Sequence, residues 1–180
     1  MAEEFIELCS EGDLEGVQTA LQSGVDVNSR DALGQTGLML ALGNRHTAVA
    51  SLLLEQEGLD IDIVNDYNQT ALNWAALFDQ NSECLALILA KSSSVNQVTQ
   101  SAYGQTALWE AVSHNAARCV HLILSDVRTD PNIKDDGGDS PLMVAVKWNH
   151  VDCVELLLAD TRVDLMTRGK YEKSEEEVVR

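Results

Sequence analysis

Three cysteines, Cys84, Cys119 and Cys153, recur at similar intervals and suggest either a disulfide or a metal site. His150 and Cys153 are three residues apart, so both side chains would share one face of a helix, and Cys119 and His121 precede them. Structural zinc, however, requires four converging ligands, usually gathered by a turn-rich loop that is absent here. The sequence therefore predicts no metal and no cofactor, and we expect the thiols to act as small buried apolar groups.

The other residue types that perform catalysis show no enzyme-like arrangement. Ser, His and Asp occur without the strand–turn–helix context of a nucleophile elbow, and the phosphate-binding patterns GxGxxG and GxxxxGK[ST] are absent. Paired carboxylates such as Asp135 and Asp136 lie in turns, where solvation explains them. The sequence predicts no catalytic residues and a protein that is not an enzyme.

The charge is the most unusual bulk property. The 180-residue, 19.6 kDa chain is 45% hydrophobic and 23% charged, as expected of one folded domain, yet 29 Asp and Glu oppose 12 Lys and Arg, a net charge of -17. Such a charge repels phosphate backbones and anionic lipids, so we expect neither a nucleic acid nor a membrane as partner. Residues 1–90 hold 15 of the carboxylates and only two arginines, which favours a partner with a basic patch.

Two further features favour a cytoplasmic or nuclear protein. No apolar run approaches the roughly 18 to 20 residues that span a bilayer, and the N-terminal MAEEF is acidic where a secretory signal is basic. Four cysteines without a framework of close spacings fit a reducing compartment. We expect the chain to be a monomer.

The chain repeats itself. Four segments align: GQTGLMLAL from Gly34, NQTALNWAA from Asn68, GQTALWEAV from Gly104 and GDSPLMVAV from Gly138. Their Thr or Ser residues, at 36, 70, 106 and 140, are 34, 36 and 34 residues apart. A period of this length indicates stacked supersecondary units rather than one globule.

Each unit contains two helix patterns. The Thr or Ser precedes an apolar run, where its side-chain oxygen can accept from the N–H groups of a first helical turn. A second amphipathic run follows: VASLLL at 49–54, CLALIL at 84–89, CVHLIL at 119–124 and CVELLL at 153–158. The three repeated cysteines then occupy nearly equivalent points of packed helices, about 8 to 10 Å apart, which is too far for disulfides between them.

This order of turn, inner helix and outer helix resembles the ankyrin repeat. The family's T-P-L-H box is matched by TGLM at 36, TALN at 70, TALW at 106 and SPLM at 140, and its A-D-V-N segment by VDVN at 25–28 and SVN at 94–96. The resemblance implies an all-α solenoid of stacked helix pairs joined by β-hairpin-like loops. It covers 1–180 as a single ankyrin-repeat domain, with an N-terminal cap at 1–30, repeats at 31–64, 65–100, 101–134 and 135–168, and a partial C-terminal cap at 169–180.

The box histidine of the family is absent from all four units. Met39, Asn73, Trp109 and Met143 replace it. In the family this histidine ties adjacent turns by a hydrogen bond, so its loss weakens the expected coupling between repeats unless Met and Trp restore contact by packing. His46 and His150 match the family's histidine at the start of the outer helix, and we expect a structural role for them.

One turn is longer than the others. Ten residues separate Asn96 from Thr106, against eight from Asn28 to Thr36. The hairpin that carries Tyr103 is therefore expected to protrude.

The resemblance places the binding surface on the concave face, formed by turn tips and inner helices. Four of the eight aromatic residues occupy positions that the family leaves exposed, a pattern typical of interfaces, although Phe78 and Trp148 have an alternative role in local packing. Trp74 and Trp109 are expected in the core. The predicted partner-binding residues are Leu33, Asp31, Asp66, Tyr67, Phe78, Tyr103, His114, Asp136, Lys147 and Trp148.

The sequence thus predicts a non-enzymatic interaction module, an adaptor or scaffold, that binds a protein or peptide carrying apolar anchors flanked by Lys and Arg. The basic groups would meet Asp31, Asp60, Asp62 and Asp66, and the aromatic rings would hold the complex. An alternative is a regulatory subunit that inhibits an enzyme or transcription factor by occluding its basic surface.

A third hypothesis treats the chain as the substrate of another enzyme. Ankyrin repeats resemble targets of asparaginyl hydroxylation at the turn asparagine. Leu124, Asp130 and Asn132 fit the spacing of that pattern, which makes Asn132 the candidate modified residue.

Overall fold

The computed structural model describes residues 1–78, 81–100 and 104–166, and within these ranges the chain forms helices in five antiparallel pairs. The inner helices are α1 (Ala2–Glu11), α3 (Gly37–Gly43), α5 (Ala71–Ala76), α7 (Ala107–Ser113) and α9 (Pro141–Lys147). The outer helices are α2 (Leu14–Gln22), α4 (Thr47–Leu54), α6 (Ser82–Lys91), α8 (Ala117–Ser125) and α10 (Val151–Ala159). The predicted all-α ankyrin solenoid is confirmed, and each pair lies within one predicted repeat; the predicted partial cap at 169–180 lies outside the described residues.

The inner helices begin where the repeated Thr and Ser predict. Thr36, Thr106 and Ser140 each accept a hydrogen bond from the backbone N–H three residues on, at 3.3, 3.2 and 3.4 Å. The second box differs, because Asn73 Oδ1 accepts from both the N–H and the hydroxyl of Thr70 at 3.0 Å. Asn73, which occupies the position of the family's histidine, therefore caps the first turn of α5 with its side chain.

A hairpin-like turn precedes each of α3, α5, α7 and α9. One backbone hydrogen bond closes each turn: Asp31 N to Gln35 O, Asn65 N to Gln69 O, Thr99 N to Gln105 O and Asp135 N to Asp139 O, at 2.9 to 3.0 Å. The third spans two residues more than the others, which confirms the longer turn. Tyr103, whose protrusion was expected, lies outside the described residues.

Stacking buries one continuous core between the two layers of helices. Inner helices pack on neighbouring inner helices and outer on outer, while each pair also packs internally. Cys84, Cys119 and Cys153 are buried at the positions that correspond to Val49, so the predicted burial of these thiols is confirmed; Cys119 and Cys153 also donate to Phe78 O and Asn115 Oδ1, both at 3.5 Å. None of the described helices is long and apolar enough to cross a membrane.

Asparagines at the ends of the units tie successive repeats together. Asn28 Nδ2 donates to Gly58 O and its Oδ1 accepts from Asp60 N, both at 2.8 Å. Asn96 and Asn132 make the same pair of hydrogen bonds to the following repeat, at 2.7 to 2.9 Å. Each asparagine thus joins two repeats through both atoms of its amide.

Asp62 occupies the corresponding position in the second repeat, where its carboxylate can only accept. The opposing segment supplies donors: Ser92 Oγ donates to Oδ1 at 2.6 Å, and Ser93 N and Oγ donate to Oδ2 at 3.0 and 2.6 Å. Partial burial alone would raise the pKa of the Asp62 carboxyl, but the hydrogen bonds from these two serines hold it below its ordinary value.

Basic side chains form a second set of ties between repeats. Lys91 Nζ donates to Leu54 O at 2.7 Å, and Arg128 Nη2 donates to Leu89 O at 2.7 Å. Each cation satisfies a carbonyl near the C-terminus of the preceding outer helix, where the helix dipole favours positive charge. His46 Nε2 and His150 Nδ1 contact carbonyls of the preceding repeat at 3.1 and 2.7 Å, which confirms their structural role.

We predict that Asp62→Asn destabilises the protein, although asparagine is the residue of the other repeats. The amide would direct an N–H donor at the donors of Ser92 and Ser93, with an expected loss of about 1 to 2 kcal/mol in the free energy of unfolding. Urea denaturation measures this loss. Asp60→Asn is the matched control: it removes the same charge but retains an oxygen that can accept from Asp62 N, as Asp60 Oδ1 does at 3.1 Å. Equal stability of the two variants would contradict the prediction.

Candidate functional site

Tyr103 lies outside the described residues; the other predicted binding residues belong to the turn tips and to the inner helices with their C-terminal ends, a surface called here the inner face. Leu33, Tyr67 and Trp148 are 45, 46 and 54% exposed. Among the aromatic residues that the structure describes, Tyr67 and Trp148 are the two classed as exposed, and both occupy positions predicted to bind. Large apolar side chains are therefore presented at both ends of the inner face.

The acidic residues predicted to meet a basic partner have different surroundings. Asp31 Oδ1 accepts from the N–H groups of Leu33 and Gln35 at 2.9 and 2.8 Å, and so shapes its own turn. Asp60 and Asp62 are engaged as described above. Asp66 and Asp136 are exposed, and the structure shows no hydrogen bond from either carboxylate to a described residue. The negative charge available on the turn tips is thus concentrated on Asp66 and Asp136.

Phe78 is half-buried between two basic side chains. The Arg45 guanidinium lies 4.6 Å from the centroid of the ring, and the His114 ring meets it edge-on at 5.9 Å. The Phe78 ring is therefore partly covered by its own chain, which is the local packing considered as its alternative role. The sequence contained no signal for the Arg45 contact, because it depends on the relative placement of two repeats.

The rings of Trp148 and Trp109 meet edge-on with centroids 6.2 Å apart, and Trp148 also contacts His150 at 5.9 Å. Trp109 is buried, as expected of a core residue, whereas Trp74 is only partly buried. The indole Nε1 of each of Trp74 and Trp109 is buried without a hydrogen-bond acceptor among the described residues. Trp148 is the most exposed of the three.

A cleft of about 580 Å³ opens on the inner face between α7, α9 and the turn that precedes α9. It brings together three predicted residues, His114, Lys147 and Trp148. The remaining lining residues are Gln105, Trp109, Glu110, Ser113, Asp135, Gly137, Asp139 and Val144. Lys147 Nζ donates to Asp139 Oδ2 at 2.5 Å, and both residues line the cleft. The cleft was not foreseen from the sequence.

Glu110 is the most unusual residue of the cleft. It is 8% exposed, and its Oε2 lies 3.9 Å from His114 Nδ1, too far for a hydrogen bond. Burial raises the pKa of the carboxyl from 4.5 to about 7. A signal was present in the sequence, because Leu40, Trp74 and Val144 occupy the corresponding point of the other three boxes.

Comparison with known proteins identifies the repeated unit. A family model described as "Ankyrin repeats (3 copies)" matches residues 5–99 and again 78–168. The chain belongs to the ankyrin repeat family. Ankyrin repeats are generally protein–protein interaction modules and are generally not enzymes.

Several curated proteins share this ankyrin repeat region. Rabankyrin-5 of Mus musculus is 26% identical over 111 residues, which are 62% of this chain but 9% of that protein. A mitochondrial disaggregase of Bos taurus is 29% identical over 141 residues, covering 77% of this chain and 20% of that protein. The ankyrin repeat protein YahD of Escherichia coli (strain K12) is 28% identical over 142 residues, or 78% of this chain and 68% of that protein. The chain thus spans a small part of the first two relatives and about two thirds of the third.

In this ankyrin repeat protein, the residues considered for hydroxylation and for zinc binding form hydrogen bonds that connect repeats. Asn132, the candidate for hydroxylation, donates to Arg162 O and accepts from Asp164 N, so both amide atoms are engaged. Within the described ranges, no group of three or more His, Cys, Asp or Glu side chains is arranged to hold a metal ion. His150, considered with Cys153 for zinc, instead contacts Val112 O.

We predict that Glu110 makes the protein less stable as the pH rises from about 5 to about 8. Because its pKa is raised, the folded state keeps a proton that the unfolded state has already released. The contribution of Glu110 to stability is therefore complete below pH 4.5 and is lost as the pH passes about 7. The expected loss is about 3 kcal/mol in the free energy of unfolding. Glu110→Gln should remove this slope and be the more stable protein at alkaline pH.

Urea denaturation at several pH values measures the slope. His114, Asp135, Asp139 and Lys147 line the same cleft. Any pH dependence of stability that these four groups contribute is present in both the wild type and the variant. Glu83→Gln, a change at an exposed carboxylate on α6, is the control and should keep the wild-type slope. Parallel pH profiles for wild type and Glu110→Gln would disprove the assignment.

Proposed function

We propose that the chain is a non-enzymatic adaptor that binds a protein or peptide on its inner face. The observation that carries this proposal is the exposure of Leu33, Tyr67 and Trp148 on one surface of the stack. Leaving large apolar side chains in water forgoes the stabilisation of burial, and such side chains are frequent anchors of interfaces. The family supports the same class of function, since ankyrin repeats generally bind proteins.

The stack leaves this surface available for a partner. The inner helices bury their sides against neighbouring inner helices and the outer helices behind them, so the turn tips and helix ends have no further layer over them in the described residues. Asp66 lies next to Tyr67, and Asp136 is exposed in the hairpin-like turn that precedes α9. Carboxylates therefore accompany the apolar anchors. We infer a partner segment with apolar anchors and nearby basic side chains, whose approach the net charge of -17 would accelerate.

A regulatory subunit is the second candidate, and the strong negative charge favours it specifically. A chain of this charge that covers a basic active-site surface would block access of an acidic substrate. Adding the purified chain to the bound enzyme separates the two roles, because an inhibitor abolishes turnover whereas an adaptor leaves it unchanged.

The interaction is tested with Leu33→Ala combined with Tyr67→Ala. Both side chains are half-exposed, so truncation should leave the fold intact and lower affinity for the partner by about 2 kcal/mol or more, roughly 30-fold. Calorimetric titration with the partner captured by the wild-type chain measures this change.

Leu87→Ala is the matched control for this experiment. Leu87 is 48% exposed on α6 of the outer layer, so its truncation removes similar apolar surface away from the inner face. Unchanged affinity of the Leu33 and Tyr67 double variant, or an equal loss with Leu87→Ala, would exclude the inner face as the binding surface.

A further inference from the structure

The cleft between α7 and α9 contains a buried acid that the fold does not use. Glu110 is 8% exposed, and its carboxylate forms no hydrogen bond with any described residue. A buried ionisable group without a partner is costly, because folding removes its water without replacing the lost hydrogen bonds. The other three units have an apolar residue at the corresponding position. Packing of the inner helix therefore does not require an acidic residue there.

Among the described residues, no lysine or arginine forms an ion pair with this carboxylate, and His114 Nδ1 lies 3.9 Å from Oε2. Lys147 is bound to Asp139, and His114 Nδ1 lies 3.0 Å from both Glu110 O and Ser113 Oγ. Asp135 adds a further carboxylate to the lining, although it accepts from Asp139 N at 2.8 Å. The lining therefore carries three acidic side chains, one lysine and one histidine.

The helices around α7 supply no further positive charge to the cleft. The α5 sequence, Ala71–Ala76, contains no titratable side chain. Arg118 and His121 of α8 line a separate groove between the outer helices. The cleft is thus complementary to a positive group that its described surroundings do not supply.

The walls suit the apolar stem of such a group. Trp109, Val144 and Trp148 provide the large apolar surfaces, and Trp148 reaches from the cleft to the surface of the protein. Lysine and arginine carry three or four methylene groups below the charge, and their cations are attracted to indole rings. Nε1 of Trp109 is buried and has no hydrogen-bond partner among the described residues.

We propose that the cleft receives one lysine or arginine side chain of the partner protein, whose cation pairs with the Glu110 carboxylate while its stem lies against Trp109 and Trp148. This inference rests on the proposed function and adds to it a specific recognition pocket. The cation would donate hydrogen bonds to the Glu110 carboxylate, and these bonds would replace the ones to water that the carboxylate lost on folding.

The experiment uses capped tripeptides as probes: Gly-Arg-Gly, Gly-Lys-Gly, and the uncharged Gly-citrulline-Gly and Gly-norleucine-Gly. Binding to the ¹⁵N-labelled chain is followed by the indole N–H signals, with Trp74 as an internal reference because it does not line the cleft. We expect saturable shifts of Trp109 and Trp148 with the Arg or Lys peptide, and about tenfold weaker binding of the uncharged peptides. The two charged peptides show which cation the cleft prefers.

Two variants test the role assigned to the carboxylate. Glu110→Gln should weaken binding of the charged peptides about tenfold, whereas Glu83→Gln, on the outer layer, should bind as wild type. Affinity should rise about tenfold from pH 6 to pH 8 as Glu110 ionises. Because a histidine loses charge over the same range, this rise must persist in His114→Gln and disappear in Glu110→Gln.

Three results would overturn the inference: citrulline binding as well as arginine, undiminished binding by Glu110→Gln, or no saturable shift at up to about 10 mM peptide. The comparison of arginine with citrulline decides the matter on the wild-type chain even if a variant does not fold. If the peptides fail to bind but the Leu33 and Tyr67 double variant still loses its partner, only this inference is wrong. If both experiments fail, the inner face is not the binding surface.

Discussion

Contact between successive repeats is the constraint on which the rest of this structure depends. The inner helices are six to ten residues long, too short to be stable alone, and each buries its apolar side against its own outer helix and the neighbouring inner helices. The asparagine bridges, the basic side chains that donate to helix carbonyls and the histidines all connect one repeat to the next. Because the hydrogen bonds repeat from one boundary to the next, the turn tips are held in register and form one surface.

The boundary between the second and third repeats shows how specific this coupling is. Asp62 would lack a donor for the carbonyl that an asparagine bridge satisfies, yet Ser92 and Ser93 supply hydroxyl donors that suit a carboxylate. The two sides of this boundary are therefore chemically matched. The family's box histidine is not required, because backbone hydrogen bonds such as Asp66 N to Leu33 O and Gln100 N to Tyr67 O link adjacent turns at 3.0 and 2.7 Å.

The proposed binding surface lies where the framework leaves apolar side chains exposed or polar groups without a partner. Tyr67 and Leu33 are exposed at one end of the inner face, and at the other end Trp148 borders a cleft that contains the unpaired Glu110. These features cost stability in the isolated chain, which a bound partner would restore. Many of the other carboxylates, including Asp31, Asp62 and Asp126, are engaged by N–H, hydroxyl or guanidinium donors of the protein itself.

The period of the boxes, the Thr and Ser caps and the amphipathic outer runs were sufficient to predict the solenoid, because they depend on contacts within one repeat or between equivalent repeats. The same local rules placed the buried cysteines and the longer third turn. The sequence alone could not predict which acids remain available, since Asp62 and Asp66 have the same residue type but different neighbours. The cleft and its unpaired Glu110 were decided only by tertiary structure, because Glu110, Lys147 and Trp148 belong to two different repeats and their distances depend on how those repeats stack.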